Sequence, residues 1–277
     1  MSLPFADASG LDVLAAADAL EAALLAGLDP EGDPPREAVP LGAGELLVMP
    51  SAAGGHAAVK LVSVGGVPRI QGVCVVFDGA TLAPVALVDG MALTNLRTAA
   101  VSALAVRRLA APGARRALVF GRGPQAAGHA DAMRAVLGVE HVDLVGRGER
   151  GADELVAAAD VICCCTTARE PLFDGGLVAD HATVVAIGSH EPDAREVDDT
   201  LAARATVVVE SRASALREAG DVITAIAAGA LVAGDLVTLA DLVHGRAAPA
   251  ADRPRLFKST GMAWEDAVVA AALAGLA

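Results

Sequence analysis

The chain has 277 residues, 54 % of them apolar and 20 % charged, which is enough for one large domain or two ordinary ones with their own cores. Its formal net charge of −13, with no basic cluster, excludes a nucleic-acid partner, because a phosphate backbone calls for the opposite field. The longest stretch without Asp, Glu, Lys or Arg runs from Leu46 to Val59 and is broken by Pro50, Gly54 and Gly55, whereas a membrane-spanning helix needs ~20 apolar residues, so no membrane partner is expected.

Leu11 to Leu28 repeats apolar residues at helical spacing. Asp29–Pro40, with its several prolines, reads as an irregular connector. Strand-like runs follow at Glu45–Met49, Ala57–Val64, Gln71–Phe77 and Pro84–Val88, the last two joined by the turn sequence Asp78-Gly79-Ala80-Thr81. A helix is predicted from about Leu93 to Leu109, and Pro112-Gly113 marks a boundary. From Arg116 the rhythm becomes alternating strand and helix, the pattern of a parallel sheet with crossover helices. Strands are predicted at Ala117–Phe120, His141–Val145, Val161–Cys165, Thr183–Ile187, Thr206–Val209 and Arg255–Lys258, with a last helix over Ala263–Leu276.

The most informative stretch is Val119-Phe120-Gly121-Arg122-Gly123-Pro124-Gln125-Ala126. An apolar strand stops at glycines spaced G-x-G-x-x-A, and a helical pattern follows. The first glycine permits the tight turn, the second lets a pyrophosphate approach the backbone, and the small third residue lets helix and strand pack closely. This predicts a Rossmann-type dinucleotide-binding domain. Between Gly146 and Val161 there is room for only one short helix, so the sheet is expected to lack one edge strand.

The turn after the second strand distinguishes the two nicotinamide cofactors, since a carboxylate there binds a ribose 2′-hydroxyl and an arginine a 2′-phosphate. Asp143 falls inside the strand; its end is Gly146-Arg147. NADP(H) is therefore favoured, with NAD(H) as the alternative, and an ordinary surface arginine is the other reading of Arg147. Cys74 and Cys163, Cys164 and Cys165 lie in apolar runs without C-x-x-C spacing, so they read as buried, reduced side chains and no metal site is expected. No basic residue precedes an apolar core at the N-terminus, so the chain reads as cytoplasmic, without a secretion signal.

Three cationic residues stand out before the glycine motif. Lys60 lies within the apolar run Ala57-Ala58-Val59-Lys60-Leu61-Val62, where it is costly unless paired or lining a cleft; an edge-strand lysine that discourages aggregation is the alternative. Arg97 opens the helix Leu96–Leu109 amid small residues and could hold a carboxylate in a two-pronged grip or face solvent. Arg36 follows two prolines and says little by itself.

A series of blocks in fixed order includes Met49-Pro50-Ser51, Val59-Lys60-Leu61-Val62-Ser63-Val64, Leu93-Thr94-Asn95-Leu96-Arg97-Thr98, the glycine motif, Ala186-Ile187-Gly188-Ser189, Arg195-Glu196-Val197-Asp198 and Phe257-Lys258-Ser259-Thr260-Gly261. Over almost its whole length the chain resembles the ornithine cyclodeaminase/mu-crystallin family. The resemblance implies an α/β chain with an α+β substrate-binding and dimerisation domain over residues 1–112 with 255–277, and a Rossmann-type domain over 113–254. It implies a homodimer and a substrate cleft lined by Arg36, Lys60 and Arg97. The expected cofactor contacts are Gly121, Gly123, Pro124, Gln125, Arg147, Thr166, Gly188 and Ser189. The catalytic set expected is Lys60, Arg97 and His190. His190, followed by Glu191, stands where the family's cyclodeaminases carry an acid/base aspartate, and Gly72 stands where they carry a threonine. These departures favour an NAD(P)-dependent oxidoreductase acting at the Cα of an amino acid or its imine. The alternatives are a cyclodeaminase-type lyase that releases ammonia and recycles NAD, and a non-catalytic binder of NADPH or a small ligand.

Overall fold

The computed structural model describes residues 3–276; residues 1, 2 and 277 of the expected first domain lie outside them. Two compact units emerge, one running to Val101 and resuming at Met262, the other Ser102–Gly261.

The first unit begins with β1 (Phe5–Ala6) and α1 (Val13–Leu25). Asp12 caps α1, its carboxylate accepting from the Leu14 and Ala15 amides at 2.9 Å, which satisfies two donors that a helix start leaves open. The helix buries Ala16, Ala17, Leu20 and Leu24. The proline-rich connector is less irregular than expected, because it ends in β2 (Glu37–Leu41), an exposed strand paired antiparallel to β3 (Gly44–Ala53). Pro40 is tolerated there because an edge strand need not donate on its outer side. β4 (His56–Val64), β5 (Ile70–Asp78) and β6 (Pro84–Asp89) complete a six-stranded sheet of order β1-β6-β5-β4-β3-β2, antiparallel except for β1 beside β6. The Asp78 carboxylate accepts from the Thr81 amide and hydroxyl at 2.7 Å, closing the expected turn between β5 and β6.

α2 (Gly90–Leu109) starts earlier than its apolar pattern suggested. Asp89 supplies the cap, accepting from the Met91 and Ala92 amides at 2.9 Å. Arg97 therefore sits inside α2 and does not open it.

In the second unit the chain alternates as read: β7 (Ala117–Phe120), α3 (Pro124–Leu137), β8 (Val142–Val145), α4 (Ala152–Ala158), β9 (Val161–Cys164), β10 (Thr183–Ala186), α5 (Asp199–Arg204), β11 (Thr206–Val209), α6 (Arg212–Glu218), α7 (Gly220–Ala227), β12 (Val237–Thr238), α8 (Leu239–Val243) and β13 (Arg255–Lys258). The seven strands are parallel, in the order β12-β11-β13-β10-β9-β7-β8. Central strands such as β7 and β9 are buried on both faces, which is why they read as unbroken apolar runs. Leu118, Ile162, Val184, Leu201, Val222 and Leu256 belong to their core. β8 is an edge, as expected for a sheet that has lost its third strand. The sequence placed Arg255–Lys258 with the first domain; hydrogen bonding instead inserts β13 between β10 and β11 of the parallel sheet. The chain then returns to the first unit as α9 (Ala263–Leu273), which packs on β3, β4, β5 and α1.

Candidate active site and nucleotide cradle

Alternation along β4 puts Ala58, Lys60 and Val62 on its buried face, and α9 packs on that strand. An ammonium there needs a partner, and α9 provides it. Lys60 Nζ donates to Asp266 Oδ1 at 2.8 Å and approaches Thr94 Oγ1 at 3.4 Å, with Lys60 2 % and Asp266 1 % exposed. Arg97 completes the cluster from α2, donating through Nε to Asp266 Oδ1 at 3.1 Å and through Nη1 to Glu265 Oε2 at 2.8 Å. Both acids sit in the first turn of α9, where the helix dipole favours negative charge. Asp33 orients the same turn, accepting from the Trp264 amide at 3.0 Å and from the Ser51 hydroxyl at 2.5 Å.

Burial lowers the Lys60 pKa most strongly. Asp266 opposes it, the Arg97 and Arg36 charges add to it, and the result is about 8. Arg36 is half-buried, and its charge reaches Lys60 even though the sequence left it uninformative. Cys74, directly opposite Lys60 on β5, is pushed up to about 12 by burial and stays a thiol, as the composition suggested. The site is thus a buried proton carrier tuned towards neutral pH, beside a fixed guanidinium. Sequence reasoning missed Glu265 and Asp266. Their signal was there: two adjacent acids inside the apolar helix Ala263-Trp264-Glu265-Asp266-Ala267-Val268, both 0–1 % exposed.

Gly72, the departure noted on β5, has a packing reason. A Cβ there would lie 2.6 Å from the Leu61 carbonyl, and a Cβ on Gly90 would lie 2.5 Å from the Gly72 carbonyl carbon. The close approach seats the first turn of α2, with Thr94 and Arg97 one and two turns further on. The first unit also holds a groove of about 900 Å³, lined by small residues of α1 such as Ala19 and Ala23 together with Ser51, Ala57, Trp264 and Val268.

In the second unit the glycine motif folds as expected. Gly121 has φ +126°, and a Cβ on it would meet the Cys165 carbonyl at 2.6 Å, so the turn itself demands glycine. Gly123 is different: beyond its own chain neighbours, no atom of the described residues lies within 4 Å of where its Cβ would be. Local packing does not require glycine there, while close approach by a pyrophosphate does. Gly123 caps α3 without a side-chain cap, and Pro124 takes its first turn. Gln125 lies one residue on, and its carbonyl accepts from His129 Nδ1 at 2.7 Å.

Thr166 and Gly188, on the loops after β9 and β10, meet on one carboxylate. Glu196 Oε1 accepts from the Thr166 amide and hydroxyl at 2.8 Å, and Oε2 accepts from the Gly188 amide at 2.7 Å. Burial raises the Glu196 pKa, with the Lys258 charge and these bonds opposing. Lys258 Nζ donates to the Ser189 carbonyl at 2.8 Å and pairs with Asp221 at 2.9 Å, while Asp221 accepts from the Glu196 and Val197 amides. His190 follows Ser189 and is exposed. Its neighbour Glu191 pairs with Arg169 at 2.7 Å on the surface. Arg147 is exposed in the turn after β8. The triplet cysteines are unpaired; burial drives Cys163 to about 12 and Cys164 and Cys165 well above the ordinary thiol range. No cluster of metal-ligating side chains exists among the described residues, and no helix among them is long and apolar enough to cross a membrane.

The model of the Ornithine cyclodeaminase/mu-crystallin family matches residues 9–155 and 150–274. The chain is 35 % identical over 264 residues to the ketimine reductase mu-crystallin of Rattus norvegicus, covering 86 % of this chain and 82 % of that one. It is 34 % identical over 228 residues to the delta(1)-pyrroline-2-carboxylate reductase of Colwellia psychrerythraea, covering 73 % and 72 %. Among solved structures, the delta(1)-pyrroline-2-carboxylate reductase of Thermococcus litoralis in complex with NADH and L-proline superposes with a TM-score of 0.86 at 26 % identity, covering 100 % of this chain and 97 % of that one. A buried Lys–Arg–Asp cluster and a glycine cradle on a parallel sheet thus accompany a match along nearly the whole sequence, and the chain belongs to the ornithine cyclodeaminase/mu-crystallin family.

Proposed function

We propose that the protein is an NAD(P)-dependent reductase of cyclic imino acids, the class that includes Δ1-pyrroline-2-carboxylate, converting the carbon–nitrogen double bond to the cyclic amino acid. The bound nicotinamide supplies the hydride to the imine carbon. Gly121, Gly123 and Pro124 would hold its pyrophosphate at the start of α3, and Thr166, Gly188 and Ser189 would border it along the strand ends. Gln125, in the first turn of α3, and Arg147, after β8, are the remaining proposed contacts.

The observation that carries this reading is the buried Lys60 ammonium, bonded to Asp266 and lowered to about 8. Near neutral pH it is protonated yet able to lose its proton, so it can give one to the ring nitrogen as the carbon takes hydride. Asp266 stabilises the charged form before transfer and fixes Nζ in direction. The substrate carboxylate is assigned to Arg97, with Arg36 contributing charge; Glu265 and Asp266 hold the Arg97 fork in one orientation. His190 is proposed as a second proton-transfer group. Its neighbour Glu191, paired with Arg169, is the alternative candidate for the family aspartate's place.

The test is turnover of Δ1-pyrroline-2-carboxylate and its six-membered homologue with NADPH and NADH, followed by loss of nucleotide absorbance. No consumption of reduced cofactor with either imine would overturn the reading. Ornithine with catalytic NAD⁺, releasing ammonia without net reduction, would replace it with cyclodeamination.

We further infer that two copies pair through the first unit. Val39 and Leu41, two residues apart on the open edge strand β2, are 44 % and 50 % exposed, and a second copy laid along that edge would cover them. Light scattering that returns a monomer at micromolar concentration would reject this. A cytoplasmic setting is proposed from the four reduced thiols and would be checked by cell fractionation.

A further inference from the structure

Arg122, between the two glycines of the motif, lies over the turn that follows β8. Its Nε donates to Glu149 Oε1 at 3.2 Å and its Nη2 to the same oxygen at 2.5 Å. The pair rests on Gly146, the first residue past the strand: a Cβ there would be 2.8 Å from Glu149 Oε1 and 3.1 Å from Arg122 Nε. The turn itself is built around Gly146, whose carbonyl accepts from the Glu149 amide at 3.3 Å, and around Gly148 at φ +76°. The Gly121 amide donates to the Val145 carbonyl at 2.9 Å, so the pyrophosphate turn and the turn after β8 are held together at one edge of the sheet. With no strand beyond β8 among the described residues, this edge carries the exposed guanidinium of Arg122, the exposed Arg147 and Arg150, and the Glu149 carboxylate that already occupies Arg122.

In a dinucleotide fold this is where the adenosine ribose is recognised, a carboxylate suiting the 2′-hydroxyl and an arginine the 2′-phosphate. This chain supplies both on a single ion pair. We propose that the Arg122–Glu149 pair sets the choice between the two nicotinamide cofactors, Arg122 joining Arg147 on a 2′-phosphate and Glu149 acting as the counter-charge that competes for it. The proposal rests on the nucleotide reading above and assigns its specificity to residues outside the strand-end position alone.

The pair is exposed at both members, 58 % and 42 %, so it is weak and exchangeable, and a doubly charged phosphate can displace the carboxylate. With NADH the pair stays closed, or Glu149 turns to accept from the 2′-hydroxyl. Removing Glu149 therefore favours the phosphorylated cofactor, and removing Arg122 disfavours it.

The experiment is fluorescence titration of the full chain with NADPH and NADH, paralleled by calorimetry with 2′,5′-ADP and 5′-ADP, which test the adenosine end without the nicotinamide. Arg122→Ala is expected to weaken NADPH and 2′,5′-ADP roughly 10- to 100-fold, the loss of a hydrogen bond to a charged group, with NADH within about 3-fold. Glu149→Gln is expected to tighten NADPH and 2′,5′-ADP roughly 3- to 10-fold relative to NADH and 5′-ADP. Unchanged melting temperatures check that both variants fold. Equal shifts for phosphorylated and unphosphorylated ligands, or none, would overturn the assignment while leaving the nucleotide reading standing. Failure of the wild-type chain to bind any of the four would overturn both.

Discussion

Lys60 and Arg97 share one carboxylate: Asp266 Oδ1 accepts from Lys60 Nζ at 2.8 Å and from Arg97 Nε at 3.1 Å, all three side chains being almost completely buried. The buried ammonium and the buried guanidinium are thereby placed by a single acid in the first turn of α9, 206 and 169 positions further along the chain.

The pH dependence of turnover follows from Lys60. Burial and the two guanidinium charges hold its pKa below the usual lysine value, at about 8. Imine reduction needs the protonated amine and should fall as pH rises through about 8. Oxidation of the cyclic amino acid needs the neutral amine and should rise over the same range. Lys60→Met should lower kcat roughly 10²- to 10⁴-fold in both directions and abolish both limbs, with nucleotide affinity nearly intact. Retention of either limb in the variant would assign the titration to another group.

Asp266 is predicted to tune this limb as well as to hold the site together. In Asp266→Asn the ammonium loses its anion while the two guanidinium charges remain, so the limb for reduction should move to lower pH. Breaking a buried ion pair from one side costs about 3–5 kcal/mol, which should appear as a lower denaturation midpoint. A variant equally destabilised but with its limb unmoved would reduce Asp266 to a purely structural residue.

How the sequence exposed one half of this cluster and hid the other has a physical explanation. Lys60 announced itself because a cation in a period-2 apolar strand must be paired, and the chemistry of that rule is local. Its partner is not local. Glu265 and Asp266 could be read as the ordinary acidic first turn of a helix, and only the packing of α9 on β4 turns them inward. Six of the seven strands of the parallel sheet were legible, because strands covered on both faces are unbroken apolar runs; the two-residue edge strand β12 is too short to carry one. The placement of β13 was not legible: Arg255–Lys258 pairs with strands that end 50 to 70 residues earlier, and no short-range pattern records such a partner. β2 was missed for a simpler reason, since every one of its residues is exposed and it carries no apolar alternation. Arg97 was identified as well, but the two acids that hold its Nε and Nη1, Asp266 and Glu265, were not.

Glu196 offers a test of whether the loops after β9 and β10 serve the nucleotide. One carboxylate accepts from Thr166 and Gly188, so Glu196→Ala leaves buried donors unsatisfied, at about 1–3 kcal/mol each. Glu196→Gln keeps an acceptor for only one loop, because its amide nitrogen would face a donor on the other. Affinity for NADH or NADPH should therefore fall in the order wild type, Gln, Ala, by roughly tenfold per lost bond. Turnover at saturating cofactor should change far less. Equal affinities in all three proteins would separate the carboxylate from nucleotide binding.

His129 makes a prediction about stability alone. It is wholly buried between α3 and α2, with Nδ1 2.7 Å from the Gln125 carbonyl and Nε2 2.9 Å from Ser102 Oγ. The Nδ1–H donates, and the neutral ring accepts from the serine hydroxyl. Burial lowers its pKa from 6.5 to about 4, against the Gln125 bond. The unfolded chain then binds more protons than the folded one between those values, so stability is fully present above pH 6.5 and is lost as pH falls towards 4. The loss from this one ring is up to about 3 kcal/mol. Denaturant titrations at pH 7.5 and 4.5 on the wild type and on His129→Gln measure it directly. The variant should be the less stable protein at pH 7.5 but should lose less on acidification. If both proteins lose the same stability, the acid sensitivity belongs to other groups and His129 is not held neutral.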